Sequence, residues 1–114
     1  MNKKEKIKEL MDAVTNINKK EFKERFGEAD LYSKVYEGLE SIDELDFNYM
    51  ENLKKIKGKN FNEKMANLQN FTLEETFTML TAILRYDRFV EGLFKSVVES
   101  GDVLSLLTHA YAIS

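Results

Sequence analysis

At 114 residues, with 43% apolar and 32% charged side chains, the sequence suits a single soluble domain with a real hydrophobic core. The absence of cysteine excludes disulfides and thiolate metal sites and fits a reducing cytoplasm, and a net charge of −3 speaks against a general nucleic-acid binder. Proline and tryptophan are also missing and glycine occurs only five times, too little turn punctuation for a strand-rich fold, so helices are expected throughout.

Helix formation is expected from about Lys4 to Thr15, where Ile7, Leu10, Met11 and Val14 repeat at the spacing of one buried face. Lysines and glutamates fill the other faces, with Asn16 and Asn18 as stop residues. Met1-Asn2-Lys3-Lys4 leads into this charged pattern and not into an apolar core, so no signal peptide is expected. Lys19 to Phe26 places Phe22 and Phe26 four apart in a short helix or turn ending at Gly27. Asp30 then serves as an N-cap for a helix carrying Leu31, Val35, Leu39 and Ile42, flanked by Tyr32 and Tyr36. Gly38 costs that helix roughly 1 kcal/mol relative to alanine and so marks either close packing or an early end.

An acidic connector, Ser41 to Asp46, leads to Asp46 as N-cap of a helix with Met50, Leu53 and Ile56 inward and Gly58 as terminator. Phe61, Met65 and Leu68 mark a further short helix up to Asn70. Thr72-Leu73-Glu74-Glu75 is a capping box ahead of the most apolar part of the chain, Leu73 to Leu107. Ser100-Gly101-Asp102 breaks that stretch, and a last helix carries Val103, Leu104, Leu106 and Leu107, either as core or as a contact for a second copy.

Within this stretch stand four charges: Arg85, Asp87, Arg88 and Glu91. As one helix, Leu73 to Glu99 would run for roughly 40 Å, far beyond a domain with a radius of gyration of about 13 Å. A kink or break near Arg85 to Asp87 is therefore expected, with Asp87 capping the second segment, unless a partner subunit covers the overhang. On a continuous helix Thr81, Arg85, Arg88 and Gly92 form a polar stripe, beside an apolar seam of Met79, Ile83, Tyr86, Val90 and Leu93. Asp87 and Glu91 stand within reach of both arginines. An internal ion-pair network that locks the helices is the favoured interpretation, and an anion or phosphate pocket built on two guanidinium forks is the other.

Phe47-Asn48-Tyr49-Met50, then Leu80-Thr81…Arg85-Tyr86-Asp87-Arg88-Phe89…Gly92 and Glu99-Ser100-Gly101, resembles a small bacterial family of unknown function. Its signature is L-T-x-x-x-R-x-D-R-F-x-x-G followed by E-S-G, after an F-D-W-M element in which Asn48 and Tyr49 depart from the pattern. The resemblance covers about residues 45–110. It implies a shared fold and a shared arginine site, and no activity comes with it.

His109 is the only histidine, in an apolar context without an assignable nucleophile, and reads as a packing or surface residue. No metal-ligand spacing and no glycine-rich phosphate loop is present, so no cofactor is expected. The N-terminal lysines interleave with Glu5, Glu9, Asp12, Glu21 and Glu24, which reads as a solvated face. The last helix lacks the basic side chains of a DNA-recognition helix.

The sequence thus leads to an all-α, compact, single-domain bundle of about five to seven helices ending in a helix–turn–helix-like hairpin. The functional expectation is a cytoplasmic interaction or accessory module of bacterial or mobile-element origin, with a protein partner or a second copy, no nucleic acid and no membrane. The alternative is an anion- or nucleotide-binding protein, or an enzyme of unrecognised type, using Arg85 and Arg88. The candidate polar network or anion site is Thr81, Arg85, Asp87, Arg88, Glu91 and Gly92.

Overall fold

The computed structural model describes residues 2–17, 19–23 and 25–114. Asn18, a candidate stop residue, and the side chain of Phe26, the expected neighbour of Phe22, lie outside the described part. Among the described residues every regular element is helical: α1 Lys3–Thr15, α2 Lys19–Lys23, α3 Arg25–Ser41, α4 Tyr49–Lys55, α5 Phe61–Met65, a 3-10 turn Leu68–Asn70, α6 Leu73–Tyr86, α7 Leu93–Ser100 and α8 Asp102–Ile113. The Cα radius of gyration is 13.2 Å.

α1 begins where Asn2 accepts the Glu5 N–H, and ends at Asn16, whose own N–H returns to the Asp12 carbonyl. Ile7, Leu10 and Val14 face inward against α3 and α8. α3 differs from expectation. It starts at Arg25 and runs through both Gly27 and Asp30, so neither is a boundary. Gly27 falls in the first turn, near the helix end, where glycine's extra backbone freedom costs less than in the interior. Asp30, inside the helix, pairs with Lys34 one turn on, at 3.0 Å. Gly38 marks close packing: a Cβ there would stand 2.6 Å from the Leu10 Cδ2, so its missing side chain lets α1 and α3 approach.

α6 is the buried centre. The Thr72–Glu75 capping box is formed in both directions, and residues 76–84 are all buried. Each of Phe77, Met79, Leu80, Ile83 and Leu84 taken out of water contributes about 1.5–3 kcal/mol. α8 packs along α6, α1 and α7, with Val103, Leu106, Leu107 and Ala110 fully buried. The apolar face of the last helix is therefore core; Ser105, Thr108, Ala112 and Ile113 are the exposed positions along it. α7 and α8 are separated by Gly101 alone, at φ +90°. The break expected near Arg85 to Asp87 is present: α6 stops at Tyr86 and α7 starts at Leu93.

Candidate interaction surface

The connector before α4 is tied to α6 by one carboxylate. Asp46 Oδ2 accepts the Thr78 hydroxyl at 2.6 Å and the Asn52 amide at 2.9 Å, while Oδ1 accepts the Asn48 N–H at 2.9 Å. The Asp46 N–H donates to the Thr81 Oγ1 at 3.0 Å. Burial pushes the Asp46 carboxyl up, but the donors from Thr78, Asn52 and Asn48 together outweigh it and hold the group below the ordinary aspartate value. The turn occupies residues 47 and 48, so α4 starts two residues later than an Asp46 N-cap implies. That register turns Tyr49 onto Tyr86, ring edge to ring face at 5.6 Å between centroids. It also turns Met50 outward, 57% exposed, against the expectation that it would be core.

The other half of the surface is the α6–α7 loop. Tyr86 closes it by accepting the Phe89 and Val90 N–H groups at 2.9 and 3.0 Å. Gly92, at φ +78°, supplies the left-handed residue that starts α7. Asp87 caps α7 from upstream: its Oδ1 accepts the Phe94 N–H at 2.8 Å. The chain turns here, so Thr81, Arg85, Arg88 and Gly92 do not form a continuous stripe, and the seam breaks with them: Val90 is 52% exposed. Asp87 is committed to α7 and Glu91 has left helical spacing. Among the described residues neither arginine side chain has an ion pair or hydrogen bond. Arg85 is half-buried; Arg88 and Glu91 are exposed.

Two grooves adjoin the loop. One, of about 760 Å³, lies between α3 and the loop, with Tyr32, Asp87, Glu91, Gly92 and Lys95 in its lining. Tyr32 anchors its floor, donating to the Leu84 carbonyl at 2.6 Å, and burial raises its phenol pKa. Tyr32 also stacks on Tyr36, completing the expected aromatic flank of α3. The other groove, of about 320 Å³, is walled by Leu53, Phe61, Ile83, Tyr86, Leu93 and Val97, with Lys59 and Lys64 at its lip. The Lys64 amine is fastened to the carbonyls of Ile56 and Gly58 at 2.8 and 2.6 Å, which leaves its methylene stem for the groove. Neither groove is lined by Arg85 or Arg88.

On the two segments that the Tyr49–Tyr86 contact joins, the large apolar side chains of Phe47, Met50, Phe89 and Val90 are exposed, the two phenylalanines 78% and 80%. The periodicity of the sequence could not reveal this, since both phenylalanines lie in turns where no helical face assigns them a side. His109 lies elsewhere, its Nε2 2.9 Å from the Phe71 carbonyl. Among the described residues no group of histidine and carboxylate side chains is placed to hold a metal ion, and no helix is long and apolar enough to cross a membrane.

The profile of a family of unknown function, DUF6508, matches residues 26–114. The chain belongs to that family. The match reaches further upstream than residue 45, takes in α3 onward, and leaves α1 and α2 outside. Both halves of the exposed surface fall within the DUF6508 region. No curated protein and no solved structure matches the chain.

Proposed function

We propose that this DUF6508 chain is a protein-interaction module working in a reducing cytoplasm. The observation that carries this is the exposure of Phe47, Met50, Phe89 and Val90 on the segments that the Tyr49–Tyr86 contact joins, with Tyr86 and Val90 also lining an apolar groove. Scattered apolar residues are normal on a surface, but a group of large ones beside an apolar groove has the make-up of an interface centre. The test is photo-crosslinking in native cells from a benzoyl-phenylalanine placed at position 47 or 89, with position 8 on the far, charged face of α1 as control. A discrete product from 47 and 89 that is absent from the control is expected. Equal yields at all three positions, or none, would remove the proposal.

A second reading is anion or nucleotide binding at Arg85 and Arg88, favoured by their lack of ion-pair partners among the described residues. It ranks lower because neither arginine lines the adjoining grooves, so a small anion there has no enclosing wall. Saturable shifts of the Arg85 and Arg88 amide resonances on titration with inorganic phosphate or ATP would raise it above the first.

A further inference from the structure

We infer that residues 46–55 form a flap that lifts from α6 while the rest of the molecule stays folded. The segment is bounded by two buried apolar anchors, Leu45 and Ile56. Between them every side chain is half-buried or exposed, and α4 itself has no buried residue. Among the described residues α4 packs against α6 and has no extensive contact with another helix. The far anchor is pinned. The Lys64 amine grips the carbonyls of Ile56 and Gly58, so the chain beyond Lys55 stays in place when α4 moves.

The hold of α6 on the flap is light. Of the four hydrogen bonds of Asp46, those from Asn48 and Asn52 stay within the flap and travel with it. The other two cross to α6, from the Thr78 hydroxyl to Oδ2 and from the Asp46 N–H to the Thr81 Oγ1. The Tyr49–Tyr86 ring contact adds a third tie. On α6, Thr78, Ala82 and Tyr86 follow at four-residue spacing under α4, with the bulky Phe77, Met79, Leu80 and Leu84 on the other faces. A helix face that is covered at all times gains most from large apolar residues. Here lifting α4 uncovers mainly a hydroxyl and a methyl group, while Tyr49, Leu53 and Tyr86 are partly exposed already. The freed Thr78 hydroxyl keeps an acceptor in the Glu74 carbonyl, 3.0 Å away, and the freed Asp46 carboxylate meets water. Opening therefore breaks a few weak contacts, far fewer than unfolding does. It also widens the apolar groove, because Leu53 moves away from Ala82, Ile83 and Tyr86 on the α6 side.

The test uses single thiols in the full chain, which has no cysteine of its own. Ala82→Cys, at a position 4% exposed beneath α4, and Val35→Cys, at a position 1% exposed in α3, are labelled with a thiol-specific disulfide reagent. The Ala82→Cys thiol is expected to react at least about tenfold faster, because the flap opens more often than the whole molecule. Ile7→Val removes one buried methyl group from α1. It should speed the Val35→Cys reaction roughly fivefold and leave that of Ala82→Cys unchanged. Thr78→Val cuts one tie and should speed the Ala82→Cys reaction about tenfold. A seven-residue helix is not stable alone in water, so α4 unwinds once lifted, and amide hydrogens in 52–55 should exchange faster by the same factor.

Equal reaction of the two thiols, both sped by Ile7→Val, would mean that α4 leaves α6 only when the whole molecule unfolds. An Ala82→Cys reaction that Thr78→Val leaves unchanged would mean that the reagent enters through the groove as it stands. Either result overturns the flap. Neither touches the interaction module, since Phe47, Met50, Phe89 and Val90 are exposed with α4 in place.

Discussion

The Asp46 carboxylate accepts three hydrogen bonds and its backbone N–H donates one, so a single residue fixes where the connector ends and how α4 meets α6. Because its carboxyl is held below the ordinary aspartate value, the stability it contributes is whole above about pH 4 and is lost as pH falls through the lower folded-state value. Thr78→Val, which keeps the shape and removes one donor, should cost roughly 1–2 kcal/mol at neutral pH. Asp46→Asn should lessen the loss of stability on acidification. Urea melts from pH 7 to pH 3 check both, and parallel acid limbs for wild type and Asp46→Asn would show that the network does not set the pH response. Gly38 makes a second case. Alanine would gain about 1 kcal/mol of helix propensity, yet its Cβ meets Leu10, which is 2% exposed and has little room to turn aside. Overpacking of about 1–3 kcal/mol should win, making Gly38→Ala destabilising. In a Leu10→Ala background the same change should become stabilising, and a double-mutant cycle reads the reversal.

Among the elements, α7 depends on a cap supplied from outside it. Asp87→Ala should cost about 0.5–2 kcal/mol and Asp87→Asn, which retains an oxygen acceptor, clearly less; chemical denaturation of the two variants measures the difference. α1, the α6 capping box and the α6–α7 break could be anticipated from sequence because caps, periodicity and length are local properties. The start of α3 could not. Gly27 and Asp30 look like boundary residues, and only the backbone shows that the first turn tolerates one and the helix interior pairs the other with Lys34. The exposure of Met50 likewise follows from a two-residue turn at 47 and 48 that shifts the register of α4. Of the candidate site, the residues Arg85, Asp87 and Arg88 were visible as misplaced charges. Asp87 as a cap for the second segment was legible too and is met at the Phe94 N–H; the lack of pairing between the arginines and Asp87 or Glu91 was not, because the turn at Tyr86 replaces helical spacing with a loop. The pairing of Tyr49 with Tyr86, which joins two segments far apart in sequence, is a tertiary contact with no local signal.

Taken as a whole, the molecule measures 36 × 32 × 23 Å, and its family-matched region is not its whole core. Ile7, Leu10, Val14 and Phe22 precede residue 26, and all four are buried. At about 1.5–3 kcal/mol per buried side chain their contribution is comparable to the 5–15 kcal/mol net stability of an ordinary domain. Residues 26–114 alone should therefore lack a cooperative thermal transition and bind a hydrophobic dye, whereas the full chain melts in one step. A cooperative melt at the full-chain temperature would instead make α1 and α2 a dispensable appendage.

The two halves of the exposed surface differ in how firmly they are held. The Tyr86 half continues from α6, with nine consecutive buried residues behind it, while no residue of α4 is fully buried. Local opening free energy follows burial, so amide hydrogens in 49–55 should exchange with solvent well before those in 76–84. One side of the surface is then a fixed anvil and the other a compliant jaw, free to adjust its grip without loosening the core beneath.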